Sequence, residues 1–192
     1  SWNGGSPQAV NITLSGPLSN THTGKTMVNG QGALASLILA KAGGAVAIPA
    51  GTVVQMGNVT GGQANLRMGA NEQFGAGVLM NFVNASGQWM RFDLKATTQT
   101  LAGLNAGTAS SQAGAVIQNQ GTDGLDPLAD ATLTLNGGSS YVYNGYLRDQ
   151  DNGGTARKLH LVWSGTGPQT LAGAAIYYTG NTTVNAGLLS FA

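Results

Sequence analysis

Five of the seven acidic residues of this 192-residue chain fall in two short stretches, "DGLDPLAD" at 123–130 and "DQDNGG" at 149–154. Clustered carboxylates are what a hard cation such as calcium selects. The EF-hand order is broken, however, because Gly153 stands where a ligand belongs, and Asp-Asn-Gly is ordinary turn chemistry. A glycosidase needs two positioned carboxylates, and a polysaccharide lyase needs an acidic metal cluster beside basic residues on one sheet face. The residues available for that chemistry are Asp93, Asp123 and Asp126 with Arg91 and Arg67, and nothing in their spacing brings them together. A serine triad would have to draw on His22 or His160, the only two histidines, and the chain has no Gly-x-Ser-x-Gly elbow. His160 shares a strand face with Lys158 and reads as a solvated side chain. The stretch "THTGKT" at 21–26 points to a P-loop, but that motif needs glycine at 19 and Ser19 stands there. The residues therefore read as non-enzymatic, with no cofactor and no metal.

Composition narrows the partners. A formal net charge of +1, with eight basic residues scattered from Lys25 to Lys158, supplies no cationic stripe for nucleic acid. The absence of cysteine excludes a disulfide framework and any thiolate site. Charged residues make up 8% of the chain against roughly 25% in ordinary globular proteins, so the surface must be built from Gly, Asn, Thr, Ser and Gln. The longest apolar stretch, "ALASLILAKAGGAVAIPAG" from Ala33, is interrupted by Lys41, Gly43, Gly44 and Pro49 and makes a poor bilayer span. The first residues, "SWNGGSPQ", carry no signal-peptide pattern, which reads as a cytoplasmic or an already processed chain.

The elements that would position any site follow a period of two. In "QWMRFDL" Met90, Phe92 and Leu94 fall on one face while Trp89, Arg91 and Asp93 fall on the other, as a strand with one buried face requires. "ATLTL" at 131 and "RKLHLVW" at 157 repeat the pattern, placing Leu133, Leu135, Leu159, Leu161 and Trp163 inward and Thr134 and Lys158 outward. Further short candidates are separated by Gly, Asn, Asp and Thr clusters. One segment, residues 32–42, reads as a short helix. Leu34, Leu37, Ile38 and Lys41 lie at helical spacing and Gly43 would end it, with a buried strand pair as the alternative.

Gln-Thr-Leu-Ala-Gly is written twice, at 99–103 and 169–173. Many short strands, few two-residue hairpin turns and a repeated strand–turn–strand unit favour a solenoid over a sandwich or barrel. The two copies are expected to mark successive coils. Three strands of about five residues plus turns per coil would give roughly eight or nine coils.

Residues 131–191 carry a resemblance. Tyr143, Gly145, Leu147, Gly165, Gly167, Thr170, Leu171, Gly173, Gly180, Thr183, Val184, Gly187 and Leu188 match a pattern that resembles the passenger-associated repeat of bacterial autotransporters. Residues 77–120 look like the coil that precedes such a repeat. The resemblance implies an all-β right-handed parallel β-helix, exported after removal of a signal peptide and displayed outside the cell or on its surface. Nothing in the sequence provides the aromatic-girdled strands of a membrane barrel, so no membrane insertion by this chain is expected. It reads as a piece of a longer passenger or as a secreted subunit built from the same module.

The expected division is an N-terminal segment, 1–16, serving as an inter-subunit strand, and a β-helix domain, 17–192. The C-terminal stretch "TTVNAGLLSFA" carries neither charge nor proline, which is how an unprotected sheet edge looks. Trp2, Val10, Ile12 and Leu14 at one end, with Val184, Leu188 and Phe191 at the other, are the expected contacts of a homopolymer. Trp89, Tyr141, Tyr143 and Tyr146 form a candidate exposed aromatic patch for a glycan or a cell-surface partner. The functional expectation is a self-assembling surface fibre. An adhesin-type passenger and a polysaccharide-active β-helix enzyme are the alternatives.

Overall fold

The computed structural model describes residues 10–30, 35–58, 63–83, 89–107, 114–120, 129–151, 157–173 and 175–192. Among them are eighteen strands and no α-helix: β1 (Val10–Gly16), β2 (Thr26–Val28), β3 (Ala35–Lys41), β4 (Val53–Met56), β5 (Ala64–Met68), β6 (Leu79–Phe82), β7 (Met90–Asp93), β8 (Thr98–Leu101), β9 (Gly103–Ala106), β10 (Ala115–Gln118), β11 (Ala131–Leu135), β12 (Tyr141–Tyr143), β13 (Tyr146–Arg148), β14 (Leu159–Trp163), β15 (Pro168–Leu171), β16 (Ala175–Ile176), β17 (Thr182–Val184) and β18 (Leu188–Phe191). None of the described segments is a helix long and apolar enough to cross a membrane.

Every ladder between these strands is parallel. One long sheet runs β1-β3-β5-β7-β10-β13-β16, and the chain leaves it at each level to add strands to the sheets β2-β4-β6-β9, β8-β11-β14-β17 and β12-β15-β18. This is a parallel β-solenoid. Val10 pairs with Ala35, Ala35 with Ala64, Ala64 with Met90, Met90 with Ala115, Val116 with Tyr146 and Tyr146 with Ala175, so one turn takes 25 to 30 residues. The expectation of eight or nine coils is therefore too high, because the connections are longer than a minimal corner. The long sheet has seven levels.

The helix expected at 32–42 is a strand over Ala35–Lys41; residues 31–34 lie outside the described segments. β3 is laddered on both sides, to β1 and to β5, and two neighbouring strands outweigh a weak helical preference. Gly43 and Gly44 serve a turn instead. Both have positive φ, +64° and +80°, and Ala45 N–H donates to the Ala42 carbonyl at 3.2 Å, the signature of a type I′ turn.

The interior is built of stacked columns. Leu37, Leu66, Phe92, Ile117, Leu147 and Ile176 follow one another along the long sheet. Met90, Phe92, Leu94, Leu133, Leu135, Leu159, Leu161 and Trp163 are all fully buried, as the alternation predicts. The two Gln-Thr-Leu-Ala-Gly copies do not mark equivalent positions. The first lies on β8, in the β8-β11-β14-β17 sheet, and the second on β15, in the β12-β15-β18 sheet. They share a local role. Gln99 and Gln169 both point inward, fully buried, and bond backbone groups of a preceding level.

A candidate site on the outer face of the long sheet

Alternation places a second set of residues on the outside of the long sheet. One outer column reads Ile38, Arg67, Asp93, Gln118 and Arg148, and the neighbouring one reads Ser36, Asn65, Arg91, Val116 and Tyr146. Arg67, Arg91 and Asp93, which no sequence spacing brings together, are thus lattice neighbours. Asp123 and Asp126 lie outside the described residues.

Asp93, expected to face out, does leave the strand on the outer side but is fully buried. Asn65, Val116, Gln118 and Arg148 on the same face are buried as well. A buried carboxylate must be bonded, and Gln118 Nε2 donates to Asp93 Oδ1 at 2.6 Å. Gln118 Oε1 in turn accepts from Arg148 Nε at 2.9 Å. Arg148 Nη2 reaches Asp151 Oδ1 at 2.7 Å, and Arg91 Nη2 stands 3.9 Å from Asp151 Oδ2. The Asp151 amide donates to Gln120 Oε1. The Gln118 amide thus bridges the buried Asp93 carboxylate and the Arg148 guanidinium across three levels.

A cleft of about 280 Å³ opens at the end of this face, lined by Ile38, Arg67, Met68, Gly69, Lys95 and Thr97. Its rim is an unusual turn. Lys95 and Ala96 have φ of +47° and +60°, and Thr97 N–H donates to the Leu94 carbonyl at 3.1 Å. The same turn two levels earlier, after β3, is made by Gly43 and Gly44. A left-handed conformation costs a non-glycine residue about 1–2 kcal/mol. Asn119 Oδ1, one level on, accepts the Ala96 N–H at 2.8 Å and helps to hold it.

Aromatic residues flank the face. Trp89 and Tyr146 have ring centroids 5.9 Å apart, and Tyr146 and Tyr177 are 6.3 Å apart. Arg91 lies over the Trp89 ring at 5.5 Å and Arg148 over Tyr146 at 5.8 Å. The expected patch needs correction. Tyr141 and Tyr143 are buried, because alternation on β12 turns both inward and leaves Val142 outside. Tyr177, 46% exposed, takes their place and was hidden in sequence by the apolar stretch around it.

The acidic loop at 149 is committed to the fold. Asp149 Oδ1 accepts the Leu159 amide at 2.8 Å, and Oδ2 accepts the Thr179 amide and hydroxyl at 2.9 and 2.7 Å. Among the described residues no three His, Asp or Glu side chains gather as metal ligands would. His160 is half-buried, with Nε2 3.3 Å from Asp130 and Nδ1 accepting from the Asn181 amide at 2.8 Å. The Lys158 amide, donating to Asp130 Oδ1 at 2.7 Å, lowers that carboxyl from its ordinary value, with a further contribution from His160.

The two ends of the described solenoid differ from its middle. Ile12 heads the interior column of Leu37 and Leu66, yet is 56% exposed. Val184 stacks on Trp163 and Phe191 on Leu171, and they are 53% and 58% exposed. Leu188 is exposed and Leu14 half-buried. Trp2 and the Val10 side chain lie outside what the structure describes.

No family model, curated protein or solved structure matches the chain.

Proposed function

We propose that the chain is a non-enzymatic structural protein of the bacterial exterior that polymerises end to end by adding strand to strand. The observation that carries this reading is the exposure of inward-pointing apolar side chains at both ends, Ile12 on one and Val184 and Phe191 on the other. Apolar surface of this kind gains about 25 cal/mol per Å² when covered. The outermost strands β1, β16, β17 and β18 carry no charge and no proline, the devices that keep sheet edges from pairing. A further parallel layer continues the ladder at either end. Because the two ends are different surfaces, the contact is head to tail and grows an open filament unless it closes a ring. The glycine and tyrosine pattern of residues 131–191, which resembles autotransporter passengers, supports an exported origin.

β1 is itself laddered to β3 over seven residues, so removing it would merely uncover β3. Point substitutions are the cleaner test. Sedimentation velocity and negative-stain microscopy over a concentration series should show filaments for the intact chain and monomers for Phe191→Glu and for Ile12→Lys. A monodisperse monomer at high concentration, or filaments from both variants, defeats the proposal.

The aromatic row favours a second reading, an adhesin-type passenger that stacks sugars on Tyr177. A glycan array on which Tyr177→Ala loses binding, with the chain monomeric, would select it.

A further inference from the structure

We infer that polymerised copies join without a seam: the first turn of one copy stacks on the last turn of its neighbour as a further level of the same solenoid, Ile12 on the neighbour's Ile176 and Val28 on its Phe191. This rests on the end-to-end reading and adds the register of the contact. The register follows from the columns. Ile12 heads and Ile176 ends one inward column that runs through all seven levels of the long sheet. On a second side Val28, Met56, Phe82 and Ala106 form a column, and Tyr143, Leu171 and Phe191 continue it across the break that the Asn105 to Val142 bond spans. β1 and β2 belong to the first turn, β16 and β18 to the last. One placement of the neighbour therefore puts Ile12 on Ile176 and Val28 on Phe191 together.

The backbone is set for the same join. In the second column the Val28, Met56, Tyr143 and Leu171 carbonyls each accept the amide that follows the residue stacked on them, at 2.8 to 3.1 Å. In the first column the Leu147 carbonyl accepts the Tyr177 amide at 2.9 Å. Alternate residues of a parallel strand bond to opposite neighbours, so the Phe191 and Ile176 carbonyls point away from their own solenoid. In the joined register they face the amides of Asn29 and Thr13 of the next copy. Outward carbonyls of this kind are the template that an open sheet edge offers to a further strand.

Exposure marks the same two surfaces. From Asn11 to Gly16 every residue of β1 is exposed except the half-buried Leu14, whereas β5, two levels in, is buried but for Arg67. At the other end Leu188 and Phe191 are exposed, and Leu189 and Ser190 partly so. A cleft of about 130 Å³ opens in the first turn, lined chiefly by Ile12, Met27, Val28, Ala35 and Leu37. An apolar cavity of about 150 Å³ takes up benzene, and Phe191 is the ring that the register brings to this one. β1, β2, β16 and β18 carry no charge that would oppose the contact.

Two measurements test the join. Cryo-electron micrographs of wild-type filaments should give an axial repeat of about 34 Å, seven levels at about 4.8 Å each. A distinctly longer repeat means that something separates the copies, and it overturns the seamless join while leaving end-to-end assembly standing. Because the chain has no cysteine, introduced thiols report on a single contact. Met27 and Ser190 lie on the outer side of the two strands that meet, in register, with Cα atoms about 4.8 Å apart and within disulfide reach. Met27 and Leu188 would stand about 8 Å apart, beyond it. Mixed under mild oxidation, Met27→Cys and Ser190→Cys chains should form covalent dimers that neither forms alone, and the dimer should be lost when Leu188→Cys replaces Ser190→Cys. Filaments whose Met27→Cys and Ser190→Cys mixture gives no dimer, or a Leu188→Cys mixture that gives as much, overturn the register alone. Absence of filaments from wild type overturns the end-to-end reading and the register with it.

Discussion

The side-chain amide of Gln169 accepts from the backbone N–H of Leu104 at 3.1 Å and donates to the carbonyl of the same residue at 3.2 Å, across 65 positions of sequence. It closes a break in the solenoid. β9 ends one sheet and β12 begins another, and the Tyr141 ring lies over Gly103 where a Cβ would collide with it. Side chains replace the missing ladder there: Asn105 Oδ1 accepts the Val142 amide at 3.2 Å, and Asn144 donates to the Gly107 carbonyl at 2.9 Å. Gln169→Leu keeps the volume and removes both bonds. Leaving buried backbone groups without partners costs about 1–3 kcal/mol each, so Tm should fall by several degrees in a thermal melt. An unchanged Tm would mean that the break is held by packing alone.

Glycines of the repeat pattern are explained by close approach. A Cβ on Gly165 would meet the Gly137 carbonyl and the Trp163 ring, and one on Gly187 would meet the Gly165 carbonyl. Gly165→Ala should therefore destabilise by about 1–3 kcal/mol through overpacking. Gly24 has open space around it and no positive φ, so Gly24→Ala should be neutral or slightly stabilising. Urea unfolding of the two variants, side by side, measures the contrast.

Tyr143 predicts how the fold fails in base. Complete burial pushes its hydroxyl well above the ordinary tyrosine value, with Arg148 opposing weakly, and the hydroxyl donates toward the Tyr146 carbonyl at 2.8 Å. A raised folded value means that the folded state prefers the protonated form. Its contribution is whole below the unfolded value of about 10 and is lost as pH rises above it toward the folded value. Tyr143→Phe should cost about 1 kcal/mol at neutral pH and then lose less than wild type between pH 10 and 12. Tyr178, raised mainly by burial, acts in the same direction, so the variant's decline is reduced and not abolished. Parallel curves for the two proteins would remove Tyr143 from the account.

Leu161 and Trp163 were legible as core from alternation alone, because period two fixes which side of a strand a residue takes. What alternation cannot give is the neighbour above and below. Arg67 meets Asp93, and Asp93 meets Gln118, across 26 and 25 residues, and because the spacing varies from turn to turn between 25 and 30, no fixed period in the sequence reveals which residues stack. For the same reason Gln99 and Gln169, written in identical words, ended up on different faces. Residues 35–41 misled because Leu34, Leu37, Ile38 and Lys41 satisfy a helical spacing that two flanking strands override. Sequence neighbours alone place Tyr143 in an exposed patch, and nearness in sequence says nothing of which way a ring points.

Asp149 offers the sharpest test of whether the acidic loops serve structure or metal. Its carboxylate is almost fully buried and receives donors from two levels, the Leu159 amide on one oxygen and the Thr179 amide and hydroxyl on the other. In Asp149→Asn one of those oxygens becomes an NH2 group. The Thr179 hydroxyl can turn and accept from it, but a backbone N–H cannot, so whichever way the amide is placed one buried N–H loses its acceptor and faces another donor. The expected cost is about 1–3 kcal/mol or more, read as a lower urea midpoint. Calcium and EDTA should leave the wild-type midpoint where it is, since the oxygens a cation would need are already taken by the chain. If calcium raises the wild-type midpoint and has no effect on Asp149→Asn, the carboxylate binds metal and the capping role assigned to it is wrong.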